Sequence, residues 1–548
     1  MNKILAMFLV LMLVASCAGA EVLTGEGEGY GKTPITAEVT LEDGKIVGLT
    51  LSGADETPAI GGAALETLQQ AILSAGTLEG VEAVSGATWT SNGVFTAVGS
   101  ALGVTQEAAQ EAVSETSASG LYHGLGVVAT PRLGPGKDDQ DMPVYSFNVV
   151  AAYVVSDEAG RIVDLETDVL EIITPNHDGA EDNVLPGWPG MSWNSDDDAD
   201  GKVDGVMTQT PEQYAEVLRA WKTKRQLGDA YKMSSGTWTQ EMDIYEQAFK
   251  GMTGEELSAF VAGAFSDLNG RPLNGKSDKE ADVAKQAALT PEYQAKIDAL
   301  SGATMSLTDA HGELAAAIQK ALAVREPVEA ASDVASLGLG ILVTPRLGPG
   351  KDDKDTPVYS FNVVMAGTLL DEQSRAVGML ADVLEIITPN HDGADDNVFA
   401  GWPTQSYNSD DDKNGTVDSM LEQTEERFQE QVKRFTTKRQ LGDAYKMNSG
   451  TWVQEMQIFE AFFAGKTQAE IDAFYAKYAS DLNGRVIRAT SEKEEDKAKW
   501  EKLTEDEKAA VDALAGATMS LSDAHSDLYG AIKLSYESAK PSIIHIGE

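Results

Sequence analysis

Among 548 residues there is one cysteine, Cys17. No disulfide can form within the chain, and no thiolate zinc site, iron–sulfur cluster or CxxCH haem attachment is possible. Any redox role therefore falls to a cofactor that needs no thiolate. Basic residues are scarce: 42 Lys and Arg stand against 87 Asp and Glu, a net charge of −45. Nucleic acid requires clustered cations, so it is excluded as a partner, and electrostatic binding to anionic lipid is disfavoured. An acidic chain suits divalent cations or a basic protein surface; a solvated acidic surface explains most of the excess. Long apolar runs are also missing. Residues 4–14 are almost wholly apolar but too few to span a bilayer comfortably. At 42% hydrophobic and 7% aromatic, the chain can fill several cores, and its length predicts roughly three or four domains.

The start of the chain reads as a targeting segment. Lys3 precedes the apolar run, and Val14-Ala15-Ser16-Cys17 follows it as a box of small residues ending in cysteine. The pattern resembles a bacterial lipoprotein signal. That resemblance implies that residues 1–16 are removed, that Cys17 is acylated, and that the mature protein is anchored to the outer face of the cell membrane. Stable anchoring takes two or more acyl chains. The plainer alternative is a secretory signal with an incidental cysteine.

A long repeat organises the rest. GLGVVATPRLGPGKDDQDMPVYSFNVV (124–150) recurs as GLGILVTPRLGPGKDDKDTPVYSFNVV (338–364), with five differences in 27 positions and an offset of 214. A period of that length means tandem domains and not a solenoid. The expected modules are 21–103, 121–324 and 337–538, joined by linkers at 104–120 and 325–336 that lack aromatics. The first is small. Ile35–Leu41 and Ile46–Leu51 alternate around Glu42-Asp43-Gly44-Lys45, which predicts a hairpin. Helical patterns follow at 61–74 and from Ser91 to Leu102. The large copies show a related frame, with strands Tyr145–Val155 and Ile162–Ile172 and a closing helix at 308–322. Each is interrupted by an insertion with helical periods near 211–226, 238–250 and 253–265. The expected class is α+β.

Three strings stand out: EAVSGATWTS (82–91), DALSGATMSL (298–307) and DALAGATMSL (512–521). In each, an acid stands six positions before a threonine that follows Gly-Ala. Each threonine, Thr88, Thr304 or Thr518, is expected just before a helix, with Ser91, Ser306 or Ser520 as capping types. A helix start offers free N–H groups and partial positive charge, which suit a phosphate. Gly and Ala let a large group approach the backbone. A Gly-Ala turn with a capping hydroxyl is the bland alternative.

These strings, in this hairpin–helix frame, resemble the FMN-binding domain of NADH:quinone and ferredoxin:NAD oxidoreductase subunits and of flavinylated extracellular electron-transfer lipoproteins. In the first module the likeness runs through GEGEGYG (25–31), ETPAIG (56–61) and SGATWTS (85–91); in the large modules it is confined to the hairpin and the closing string. It implies FMN joined to threonine by a phosphoester, set there by a flavin transferase that uses FAD. The implied acceptors are Thr88, Thr304 and Thr518, cradled by Ser85, Gly86 and Ala87, by Ser301, Gly302 and Ala303, and by Gly516 and Ala517. Ala515 departs from the pattern, and Glu82 stands where Asp is usual. The implied function is an extracytoplasmic electron carrier fed by membrane quinol or a membrane flavoprotein.

The insertions carry a second signal. Asp196, Asp198, Asp200, Gly201 and Asp204 fit positions 1, 3, 5, 6 and 9 of a calcium loop, as do Asp410, Asp412, Asn414, Gly415 and Asp418. Met207 and Leu421 replace the closing Glu, so other carboxylates, such as Asp178, Asp182, Asp392 and Asp396, must complete the shell. The repeated KRQLGDAYKM (224–233, 438–447) and SGTW (235–238, 449–452) suggest no mechanism. The rival function is a calcium-stabilised, non-redox surface binding or adhesion lipoprotein. A weaker third is one fragment of a flavin-dependent reductase.

Overall fold

A computed structural model describes residues 21–544 except 28–32, 43–44, 55–60, 79–80, 82–83, 85–87, 104–119, 138–142, 176–182, 196–204, 234–235, 309–312, 329–332, 348–357, 390–396, 410–418, 448–449, 513, 515 and 523–525. The chain mixes helices with sheets that are mainly antiparallel. It divides into two compact units: Met1–Thr116 with Gln294–Ser301, and Ser117–Tyr293 with Gly302–Glu548.

In the first unit, strands Glu21–Gly27, Ile35–Glu42 and Lys45–Ser52 form one antiparallel sheet in chain order. The predicted hairpin is there, with Glu42 opposite Lys45. Helices Ala63–Ala75 and Thr88–Ala101 cover one face of the sheet. Ile35, Val39, Leu68, Ile72, Phe95 and Val98 form the core between them. The strand Glu21–Gly27 was not predicted, because Gly and Glu disfavour strands. Tertiary packing explains the glycines. A Cβ on Gly25 would sit 2.1 Å from the Ala97 carbonyl oxygen, and one on Gly27 2.1 Å from that of Gly93. Only a strand without side chains there lets the helix Thr88–Ala101 lie so close.

The second unit contains two five-stranded sheets. One has Leu121–Lys137, Pro143–Asp157 and Ile162–Ile173 at its centre, edged by Glu326–Pro327 and Asn183–Val184. The other has Val334–Arg346, Ser360–Leu370 and Ala376–Ile387, edged by Lys540–Ile544 and Asn397–Val398. Pairing repeats at the sequence offset: Val149 opposite Leu170 becomes Val363 opposite Leu384. The glycine device repeats too. Added Cβ atoms on Gly124 and Gly126 would meet the carbonyls of Ala321 and Ala317 at 2.0 and 2.1 Å; on Gly338 and Gly340, those of Ser535 and Ala531 at 1.9 and 2.2 Å. The helices so held are Leu314–Ala323 and Leu528–Glu537.

The strand Ser360–Leu370 is buried at every position, because one face meets helices and the other meets the sister copy. Phe147, Trp188 and Trp221 share a single core with Phe361, Phe399, Trp402 and Phe435. Trp188 Nε1 donates to the Phe399 carbonyl at 2.6 Å, and Trp402 Nε1 to that of Leu185 at 2.5 Å. Gln226 and Gln440 likewise donate across, to the carbonyls of Ile341 and Val127. The two long copies thus build one unit. The expected linker at 325–336 supplies the edge strand Glu326–Pro327, paired with Tyr122 and His123, and the first residues of Val334–Arg346.

Two helix predictions shift. The pattern at 211–226 becomes Pro211–Ala220 and Lys224–Leu227, because Trp221 is extended and Thr223 caps the second piece. The closing helix expected from 308 begins at Leu314. Among the described residues no helix is long and apolar enough to cross a membrane.

Gly126→Ala should lower unfolding stability by about 1–3 kcal/mol in denaturant titration, the usual cost of overpacking. Gly120→Ala should change it little, since the nearest atom to its added Cβ is 4.0 Å away, on Tyr122.

Candidate functional site

The three threonine strings do not share one geometry. Thr88 is the first residue of the helix Thr88–Ala101, whose first turn contains no acid. Its leading N–H groups are therefore at a helix mouth, as a phosphate requires. Ser91 is not the cap that the sequence suggested. It lies inside the helix, fully buried, and its hydroxyl accepts the Val84 N–H at 3.0 Å, closing the string onto the first turn. Glu82, Ser85, Gly86 and Ala87 lie outside the described residues.

Thr304 and Thr518 are not at helix mouths. Each sits in an irregular segment ten residues before its helix, which starts at Leu314 or Leu528. Ser306 caps nothing and bonds the Asn269 carbonyl instead. Each threonine meets a carboxylate from the insertion. Glu241 Oε2 accepts the N–H of Thr304 at 2.6 Å and of Met305 at 3.0 Å, and the Thr304 hydroxyl donates to the same group at 3.1–3.2 Å. Glu455 does the same for Thr518 and Met519, with N–H contacts of 2.7 and 2.8 Å and hydroxyl contacts of 2.9–3.1 Å. Both glutamates are 1% exposed. Asp298 and Asp512, the acids of the strings, are exposed. Of the residues just before the threonines, Ala303 and Ala517 are buried, and added Cβ atoms on Gly302 and Gly516 would meet Ile244 and Ile458. Ser301 is exposed.

The two repeated segments without a mechanism now have one. SGTW starts the helix that carries the glutamate: Thr237 and Thr451 cap helices Trp238–Phe249 and Trp452–Phe463 through capping boxes with Gln240 and Gln454. Three residues past Trp238, the helix turns Glu241 inward. KRQLGDAYKM supplies buried ion pairs. Lys224 and Arg132 flank Glu171 at 3.1 and 3.3 Å, and Tyr231 also donates to it. Lys438 and Arg346 hold Glu385 in the same way. Burial pushes both carboxyls up, but these cations outweigh it and hold each at about 2. Arg225 pairs with Glu246 at 2.7 Å, while Glu166 lies 3.8 Å away. One oxygen of Glu166 has no hydrogen-bond partner among the described residues. Burial, only partly offset by Arg225 and Lys540, raises its carboxyl to about 8.

The calcium-type residues Asp196, Asp198, Asp200 and Asp204, and Asp410, Asp412, Asn414 and Asp418, lie outside the described residues. What is described is how the loops are closed. Ser192–Ser195 pairs with Gly205–Thr208, placing Ser195 opposite Gly205; Ser409 stands opposite Ser419 in the second copy. Among the described residues no group of three or more His, Cys, Asp or Glu could hold a metal.

Residues 29–103 match the family model of the FMN-binding domain. The chain carries an FMN-binding domain. The helix that Thr88 opens lies within the matched residues, and the glycine-bearing strand Glu21–Gly27 lies just before them. A chlorophenol reductase from Desulfitobacterium hafniense is 32% identical over 226 residues, 39% of this chain and 61% of the relative. The chain thus spans about three fifths of that protein's length. A match of this extent is longer than the 75 residues that match the FMN-binding domain. Together the two likenesses point to a flavin-related redox function.

The buried carboxyls give opposite pH slopes. Glu171 and Glu385 lie below the unfolded value of about 4.3, so the stability they confer is complete above that pH and is lost as pH falls toward 2. Glu166 lies above it, so its contribution is complete below about pH 4.3 and is lost as pH rises to 8. Glu166→Gln should therefore stabilise the protein at pH 8, on the order of a few kcal/mol, and change little at pH 4. Thermal melts across that range check this.

Proposed function

We propose that this chain is an exported electron carrier holding FMN as a phosphoester of Thr88. The observation that carries the reading is Thr88 opening a helix whose first turn is free of acid, inside the residues that match the FMN-binding domain. In the attachment step the threonine oxygen bonds the FMN phosphorus of FAD. The phosphoanhydride breaks, AMP leaves, and the hydroxyl proton passes to solvent. A flavin transferase performs it. Bound there, FMN passes one or two electrons. The chain's own part is to hold the phosphate at the N–H groups of the first turn and to keep a diffusible cofactor from being lost outside the cell. Membrane quinol or a membrane flavoprotein is the donor. Acylated Cys17 holds the protein at the outer face of the membrane. The relative named a reductase supports a reductive use of the electrons.

The long unit, read as enlarged copies of the FMN-binding frame at 121–324 and 337–538, is supported by the recurring glycine pairs and by strand registers that repeat at 214 residues. Calcium in the loops 196–204 and 410–418 is supported by the two-stranded ladders that close them. Calcium there stiffens the insertions. A second reading, a calcium-stabilised binding module without flavin, is favoured for the long unit by the carboxylates at Thr304 and Thr518.

Co-expression with a flavin transferase should yield a yellow protein whose flavin absorbance survives denaturation and is abolished by Thr88→Ala. A colourless product would favour the binding module. Chelation should lower the melting temperature, by up to about 2.7 kcal/mol of stability at calcium a hundred times its dissociation constant. Asp196→Asn with Asp410→Asn should remove that response.

A further inference from the structure

We propose that Glu241 and Glu455 are built-in anions that take the phosphate's place at Thr304 and Thr518, so that these two strings accept no phosphorylated cofactor. The inference rests on the reading of the string at Thr88 as the flavin acceptor, and it corrects the expectation of three equivalent sites.

A phosphoester on a threonine needs three things locally: a hydroxyl free to be esterified, backbone N–H groups aimed at the phosphate oxygens, and room for an anion. At Thr304 all three are taken. The carboxylate of Glu241 accepts two successive backbone N–H groups and the hydroxyl itself. Two N–H groups converging on one oxygen are what a nest offers an anion. The contact is repeated at Thr518 with Glu455, to within about 0.2 Å in each distance. Its recurrence with equivalent partners in both copies marks a feature of the repeat, not a side-chain accident. Esterifying either hydroxyl would remove its donated proton and set a phosphate against a carboxylate that is 1% exposed. Like charges at that separation, away from water, exclude one another.

The glutamates cannot simply swing aside. Each projects from the first full turn of a helix started by a capping box, among the buried neighbours Trp238 and Met242, or Trp452 and Met456. The side chain occupies the core by construction. Its function follows: it keeps the loop of the string folded without a cofactor. The insertion that supplies it thus turns a cofactor cradle into a structural joint.

The test uses the full chain co-expressed with a flavin transferase, digested and mapped by mass spectrometry. Peptides containing Thr304 and Thr518 should be unmodified while that containing Thr88 carries FMN. Flavin on Thr304 or Thr518 would overturn the inference. A bare Thr88 would count against the electron-carrier reading instead, and the anion seat would then be judged by a second measurement that needs no transferase. Glu241→Ala and Glu455→Ala should each melt at lower temperature. Inorganic phosphate at tens of millimolar should restore at least half of the loss relative to chloride of equal ionic strength, and shift the unaltered chain far less. Equal shifts in variant and unaltered chain would refute the seat. Should the variants aggregate, refolding yield with phosphate against chloride is read by the same criterion.

Discussion

The aromatic core shared by the two long copies is the constraint on which most of this molecule rests. Strands Pro143–Asp157 and Ser360–Leu370 are buried along both faces. A strand in a lone α+β layer needs cover on one face only. Here the second face is covered by the other copy, through Trp188, Trp402, Phe399 and their neighbours. Trp188 and Trp402 also each place the indole N–H on a carbonyl of the opposite copy. A buried indole N–H without such a partner would cost the burial much of its benefit. These two bonds run between the copies, so the copies supply each other with hydrogen-bond acceptors as well as apolar cover.

The copies are not interchangeable. Tyr153 of the first meets Gly367 of the second, the residue at its own equivalent position, and a Cβ on that glycine would fall 2.3–2.6 Å from the ring. Charge shows the same asymmetry. Lys540 pairs with Glu246, whereas its counterpart Glu326 approaches Arg439. Glu166 adds a further carboxyl beside Glu246, one that turns negative only as pH rises toward 8, and Leu380 stands at the matching position in the second copy. The seat with more carboxylates receives a lysine, and the seat with fewer receives a glutamate. Buried ion pairs are weak sources of net stability, but a mismatched one is costly. Exchanging the edge strands would put Glu326 among acids. The charges therefore specify which copy sits on which side.

The glycine pairs connect this scaffold to the flavin question. In all three frames a Gly-x-Gly strand brings a helix close to the sheet, and a threonine string precedes that helix. Where the string runs directly into the helix, at Thr88, the backbone stands at a helix start, the place where N–H groups suit a phosphate. Where roughly ten residues intervene, the string is detached from the helix, its N–H groups need another acceptor, and a glutamate from the insertion provides one. Function and structure here draw on the same backbone donors, and the insertion decides which use prevails.

The chain's own letters determined much. The 214-residue repeat, the hairpins of all three frames, the insertion helices after Thr237 and Thr253, and the likeness of the first module to the FMN-binding domain are legible because they depend on alternation, caps and local motifs. The strands Glu21–Gly27, Leu121–Lys137 and Val334–Arg346 were not legible, since their glycines are explained only by a helix distant in sequence. The same holds for the fusion of two expected domains into one unit, because an apolar strand looks alike whether helix or sister sheet covers it. Glu241 and Glu455 stood in view inside an unexplained repeat, yet each lies 63 residues from the threonine it grips. Spacing of that kind has no period to detect. Only the folded chain brings the carboxylate to the N–H groups, and with it the difference between a threonine at a helix start and one gripped by a buried glutamate.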